Sequence, residues 1–162
     1  MVCRALGALL AWFMVLAPVR AEPWRILHVM SYDAGWDWNQ DQLRGFLEGF
    51  GPADIELKVV ELDAKHRNES QVKAAAQQAF ALIEQWKPHL VYVNDDVAQS
   101  EVTVRYLNSA LPFVYSGVNR EPRDYGFDRA RNVTGVLERE HFAGTIALLR
   151  ELRPKSRLRL AI

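Results

Sequence analysis

Short apolar runs alternate along this chain with stretches whose apolar residues recur at helical spacing. Trp24 to Met30 is apolar, carries β-branched residues and ends in a polar cluster, the pattern of a strand. Asp37 to Phe50 sets Leu43, Phe46, Leu47 and Phe50 on one helical face, and Gly51-Pro52 stops it. Ile55 to Leu62 alternates apolar and polar, predicting a second strand. A long helix follows from Asn68 to about Trp86, with Asn68 and Gln71 as a capping pair. Val72, Ala75, Ala76, Ala79, Phe80, Leu82 and Ile83 supply its buried stripe. Lys87-Pro88 ends that helix. His89 to Val93 is continuously apolar, as expected of a central parallel strand covered on both faces. Val97 to Ser109 predicts a third helix and Pro112 to Tyr115 a fourth strand. Gly117 to Asp128 reads as a loop, Asn132 to Val136 as a fifth extended piece and His141 to Leu152 as a fourth helix. Arg157 to Ile162 resembles the start of another strand.

Strands alternating with helices predict an α/β fold, a doubly wound parallel sheet with right-handed crossovers. Four of its strands finish in polar clusters: Ser31-Tyr32-Asp33, Asp63-Ala64-Lys65, Asn94-Asp95-Asp96 and Ser116-Gly117-Val118-Asn119. In a parallel sheet these fall on one edge, where open α/β sheets bind ligands. The order therefore predicts half of a binding cleft.

The first 21 residues stand apart. Arg4 precedes an apolar stretch from Ala5 to Leu16, too short to span a bilayer. Pro18 breaks it, and Val19-Arg20-Ala21 places small residues where a signal peptidase reads, predicting cleavage after Ala21 and export to the periplasm or beyond. The only cysteine, Cys3, leaves with this segment, so the mature chain would hold no disulfide. Without Arg4 and Arg20, 18 basic residues face 20 acidic ones. That balance argues against nucleic acid as a partner, which needs a basic surface. No later apolar run reaches membrane-spanning length, so stable membrane insertion after signal removal is not expected.

Several segments resemble the periplasmic substrate-binding proteins of ABC transporters, in the tryptophan/tyrosine-type group. The residues that carry the likeness are Asn132-Val133-Thr134-Gly135-Val136, then Leu111-Pro112-Phe113-Val114-Tyr115-Ser116-Gly117-Val118-Asn119. Lys87 to Ala98 and Leu152-Arg153-Pro154 add to it. The resemblance implies the N-terminal, Rossmann-like lobe of a type I periplasmic binding fold over residues 22–136. It makes Thr134 and Gly135 part of the hinge crossing, and residues 137–162 the crossover and start of an incomplete second lobe. It also implies an exported protein that closes two lobes around a small polar or amino-acid-like ligand and docks on a membrane permease. The Ser31-Tyr32…Trp38…Gly45 stretch is similar to a branch whose relatives occur as ectodomains of membrane sensors. A sensor ectodomain of histidine-kinase type is thus the alternative.

The candidate ligand-binding residues are Ser31, Tyr32, Asp33, Trp38, Asp95, Asp96, Ser116 and Asn119. Hydroxyls, amides and the start of the helix after Asp96 offer polar contacts, the latter for a carboxylate. Tyr32, Trp36 and Trp38 offer flat apolar surface. Simpler readings stand beside these: Asp95 and Asp96 as helix caps, Asp33 and Asp37 as caps of the first helix, Ser116 and Asn119 as flanks of an ordinary turn. Enzyme readings find little support. There is no phosphate loop, no nucleophile elbow, and no metal-ligand spacing among His28, His66, His89 and His141. A hydrolase or phosphatase on this sheet is the third reading. No catalytic residue, metal or cofactor is assigned.

Overall fold

The computed structural model describes residues 22–153. The proposed leader and the strand expected at 157–162 lie outside the described residues. Five strands form one all-parallel sheet: β1 (Trp24–Met30), β2 (Ile55–Glu61), β3 (Leu90–Asn94), β4 (Phe113–Val118) and β5 (Val133–Leu137), in the order β2-β1-β3-β4-β5. The α/β doubly wound reading holds. The helices are α1 (Asp37–Phe50), α2 (Glu69–Trp86), α3 (Asp96–Glu101) and α4 (Phe142–Leu152).

The two faces of the sheet are packed differently. Leu27 and Val29 of β1 and Val91 and Val93 of β3 meet Val72, Ala75, Ala76, Ala79 and Ile83 of α2 in a dry apolar core. Small alanines on α2 let the helix lie close to these branched side chains, and close packing recovers the dispersion contacts that a gap would lose. Asn68 and Gln71 close the reciprocal box at the start of α2, as expected: Asn68 Oδ1 accepts from the Gln71 N–H and Gln71 Oε1 from the Asn68 N–H, each at 3.0 Å. On the opposite face, His28 stacks on Tyr92 and Tyr92 on Phe46 of α1, with ring centroids 4.6 and 4.1 Å apart. The face that α1 turns to the sheet is only half-buried at Leu43, Phe46, Leu47 and Phe50, and its one fully buried residue is polar, Asn39.

Three elements differ from the sequence reading. The helix expected over 97–109 stops at Glu101 and continues as a 3-10 turn, Thr103–Tyr106. Three β-branched residues in a row, Val102 to Val104, disfavour continued α-helix, and Asn108 then takes a positive φ of 61°. Strand β4 runs on to Val118, so Ser116 and Gly117 lie in the strand and not in a loop after it. Gly117, at φ 67°, carries the register irregularity that makes this possible. The loop expected from Gly117 to Asp128 contains two further 3-10 turns, Pro122–Tyr125 and Phe127–Arg129; Tyr125 and Phe127 pack there against Tyr115 and Val118.

Candidate ligand-binding edge

In the order β2-β1-β3, the chain leaves β1 in one direction and returns to its other side. The crevice between the ends of β1 and β3 is therefore the topological switch point, the place where ligands bind in sheets of this kind. Ser31 follows β1 directly, and Asn94 ends β3. The Ser31 hydroxyl donates to the Asn94 carbonyl at 2.8 Å and accepts the Ala98 N–H at 2.8 Å. One buried hydroxyl thus ties the end of β1, the end of β3 and the first turn of α3. Both of its functions are taken within the protein, and the residue is fully buried. Ser31 shapes the crevice floor.

Neighbouring strand ends are joined in the same way. The Asp95 N–H donates to the Ser116 carbonyl at 3.0 Å. The Ser116 hydroxyl lies 2.6 Å from the Tyr92 hydroxyl and donates to Gln42 Oε1 of α1. Residues from the first, third and fourth polar clusters, Ser31, Asp95 and Ser116, therefore share one rim.

The two adjacent aspartates have separate tasks, and neither side chain caps α3. Asp96 is satisfied by its surroundings: Oδ2 accepts from the Asn119 N–H at 3.1 Å, and Oδ1 from the Arg120 N–H at 3.2 Å and the Tyr125 hydroxyl at 2.6 Å. It fixes the loop after β4. Asp95 is 5% exposed, and its Oδ2 is buried without a hydrogen-bond partner among the described residues. Burial, aided by the Glu138 and Asp96 charges and opposed by Lys65, pushes its carboxyl up to about 7. Its backbone, at φ 61° and ψ 169°, lies in a region that essentially only glycine visits freely. A strained backbone holding a buried, unpartnered carboxyl at a switch point is the strongest functional signal in the chain.

Aromatic residues form the outer wall. Tyr32 and Trp36 have ring centroids 6.0 Å apart, and the Lys65 ammonium sits against both, 4.6 Å from the Tyr32 centroid and 3.3 Å from that of Trp36. Burial, then the charges of Asp95, Asp96 and Glu138, raise the Tyr32 phenol above its usual range, which places these acids within electrostatic reach of the ring. Trp38 lies one helical position into α1 and is exposed. The indole that joins the rim cluster is Trp36.

The remaining candidates are placed as follows. Asp33 Oδ1 accepts the Gly35 N–H at 2.8 Å, turning the chain before α1, and neither Asp33 nor Asp37 caps that helix. Asp33, Asp63 and His66 bring one potential ligand atom each within 4.8 Å of the others. His66 Nδ1 is 2.6 Å from Asp63 Oδ1, its hydrogen-bond partner, and 3.8 Å from Asp33 Oδ2, which is buried and has no hydrogen-bond partner among the described residues. Asn119 is exposed, and its carbonyl accepts from Arg139 at 2.9 Å. Thr134 and Gly135 lie inside β5, paired with Val114 and Tyr115.

Sequence reasoning does not single out Lys65, Gln42, Glu138 or Tyr125 as parts of this edge. Lys65 stands in one of the four polar clusters, which is the available signal. The others reach the rim from elements whose proximity only the sheet order reveals. His28 enters the sequence reading only among the histidines that lack metal-ligand spacing. It is buried, and its Nε2 meets Asn94 Oδ1 at 3.1 Å. Asn94 Nδ2 continues to Asn39 Oδ1 at 3.4 Å, and Asn39 Nδ2 to the Asp33 carbonyl at 2.7 Å.

No family model and no curated protein matches the chain. Among solved structures it is similar to a conserved domain protein from Vibrio cholerae O1 biovar El Tor. The TM-score is 0.59 at 15% identity, over 83% of this chain and 45% of that one. It is also similar to the ABC domain in complex with L-Trp from Streptococcus pneumoniae. There the TM-score is 0.55 at 17% identity, over 82% of this chain and 44% of that one. At this identity the likeness shows the fold alone: a Rossmann-like α/β domain with a parallel sheet. The chain spans less than half the length of either relative.

Proposed function

We propose that this chain is the N-terminal lobe of an exported solute-binding protein, which captures a small polar or amino-acid-like ligand at the β1/β3 switch point. The observation that carries this reading is Asp95, a buried and unpartnered carboxyl on a strained backbone, flanked at the rim by Tyr32 and Trp36. Such strain persists only where the surroundings over-determine it, and it clusters at ligand clamps. The solved relative bound to L-Trp adds support for a small ligand on this fold.

A second lobe would close on this edge by hinge motion. Helix α4 favours that arrangement: it buries none of its residues against the sheet, and Phe142 and Leu152 are 68% and 70% exposed. An apolar helix face of this kind needs a partner to leave water. The rim residues bind and orient the ligand and break no bond. The loaded form is then recognised by a membrane permease. Among the described residues no helix is long and apolar enough to cross a membrane.

Thermal-shift screening of the full mature protein tests the reading. A ligand at 100 times its Kd stabilises the folded state by about 2.7 kcal/mol. Amino acids, purines and sugars are screened, and at least one is expected to raise the melting temperature in wild type and not in Asp95→Asn. A flat response across all three classes overturns the proposal.

A further inference from the structure

We infer that the rim is a cation site: its ligand presents an ammonium group to the Tyr32 and Trp36 rings, within the field of Asp95, and the chain's own Lys65 fills the place at the rings as an internal competitor. The inference rests on the binding reading above and specifies the charge of the ligand's head group.

Two independent observations carry it. The first is the aromatic pair. Lys65 Nζ lies 3.3 Å from the Trp36 centroid and 4.6 Å from that of Tyr32. Ring faces attract cations and repel anions, and they do so here at an exposed site where the head group stays in reach of solvent. The lysine ammonium therefore marks where a ligand cation is stable. Lys65 itself is exposed on a flexible stem, so its head group can leave for water at little cost.

The second observation is the unpaired acid. Asp95 Oδ2 is buried and has no hydrogen-bond partner among the described residues. Asp96 and Glu138 add negative charge around it, and Lys65 is the cation that offsets them at Asp95. A buried carboxylate without a donor is costly, and an ammonium supplies both the charge and the donors. A ligand carboxylate entering here would meet three acids. It would also find the Ala98 N–H at the start of α3 already given to Ser31. The expectation that this helix start holds a carboxylate thus gives way to the opposite polarity.

The competition makes the inference testable. Lys65→Gln empties the aromatic notch without removing a wall, whereas Asp95→Asn removes the counter-charge. The mature protein is titrated with phenethylammonium, and with 2-phenylethanol and phenylacetate as neutral and anionic matches. The Trp36 indole N–H resonance is followed, assigned by its loss in Trp36→Phe. Phenethylammonium is expected to bind Lys65→Gln about tenfold more tightly than wild type, and Asp95→Asn at least tenfold more weakly. Phenylacetate is expected to gain nothing from Lys65→Gln. Weaker phenylacetate binding in Lys65→Gln, with no gain for phenethylammonium, would make Lys65 an anion ligand and overturn the inference. So would equal affinity for all three probes, or no binding of phenethylammonium to wild type or Lys65→Gln. A neutral or anionic ligand found by thermal shift, and abolished by a rim substitution, would leave the solute-binding reading standing while removing this one.

Discussion

His28 Nε2 lies 3.1 Å from Asn94 Oδ1 beneath the rim, inside the sheet face that α1 covers. Because Asn94 Nδ2 is directed at Asn39, its oxygen faces His28, and the imidazole donates through Nε2. Burial lowers His28 to about 4, against which the Asn94 bond acts only partly. Its folded pKa lies below the unfolded 6.5, so the folded state binds fewer protons between these values. Stability from the neutral imidazole is full above about pH 6.5 and is lost as pH falls towards 4. A tenfold change in proton affinity is worth about 1.4 kcal/mol, so the loss approaches about 3 kcal/mol. Urea denaturation of Asp95→Asn at pH 7 and 5, which leaves the His28 contribution without the Asp95 one, checks this together with NMR titration of the His28 ring. A His28 pKa near 6.5 would refute it.

Asp95 acts in the opposite direction over nearly the same range. Its carboxyl is raised to about 7, so the folded state binds more protons than the unfolded chain between about 4 and 7. Stability is present at low pH and falls as pH rises through 7. Discounted for solvent screening near the rim, the effect is about 1–3 kcal/mol. Wild type should therefore show a nearly flat stability profile between pH 5 and 7, with His28 and Asp95 offsetting each other. Asp95→Asn should expose the His28 slope alone and be more stable than wild type at pH 8. Asp95→Gly should gain further, since glycine relieves the backbone strain, worth about 1–3 kcal/mol. A profile for Asp95→Asn parallel to that of wild type would contradict this account.

The α/β order was legible because each strand and helix carries a period that local chemistry dictates. Asn68 with Gln71 even marked one helix start correctly. The common rim was legible too, since parallel strands must finish on the same edge. What the sequence could not separate was the work of adjacent residues. Asp95 and Asp96 look alike in the chain; Asp96 is enclosed by the Asn119 and Arg120 N–H groups and the Tyr125 hydroxyl, whereas Asp95 keeps a buried oxygen without a donor. Trp36 and Trp38 are two residues apart, but Trp36 precedes α1 on an extended backbone whereas Trp38 lies within the helix, and it is Trp36 that meets Lys65. Lys65 reaches the rim because β2 pairs with β1, a tertiary fact that no local pattern encodes.

Ser31→Ala tests the floor of the crevice. The substitution removes two buried hydrogen bonds and leaves the Ala98 N–H and the Asn94 carbonyl without that partner. Unsatisfied buried groups cost about 1–3 kcal/mol, and the expected loss in urea unfolding is about 2–3 kcal/mol. It should come with faster hydrogen exchange at Ala98, whose amide Ser31 protects. Unchanged stability would mean that water enters and replaces the hydroxyl.

Gly135 separates a packing requirement from a conformational one. Its φ is ordinary, yet a Cβ built there would overlap the Tyr115 carbonyl oxygen and lie 2.5 Å from Tyr115 Cγ. Both belong to the paired strand β4, so relief requires β5 to move away from it. Gly117 is the converse case: φ is 67°, and the nearest obstacle, Gln42 Oε1 at 2.8 Å, is the far end of a flexible side chain. Gly117→Ala should cost about 1 kcal/mol in backbone strain. Gly135→Ala should cost about 1–3 kcal/mol in overpacking, directed at one strand pair. Because β5 is an edge strand with a single partner among the described residues, its amides should exchange faster in Gly135→Ala while those of β1 and β3 keep their protection. A smaller loss for Gly135→Ala than for Gly117→Ala, or an even rise in exchange across the sheet, would show that the β4–β5 contact does not set the requirement for glycine.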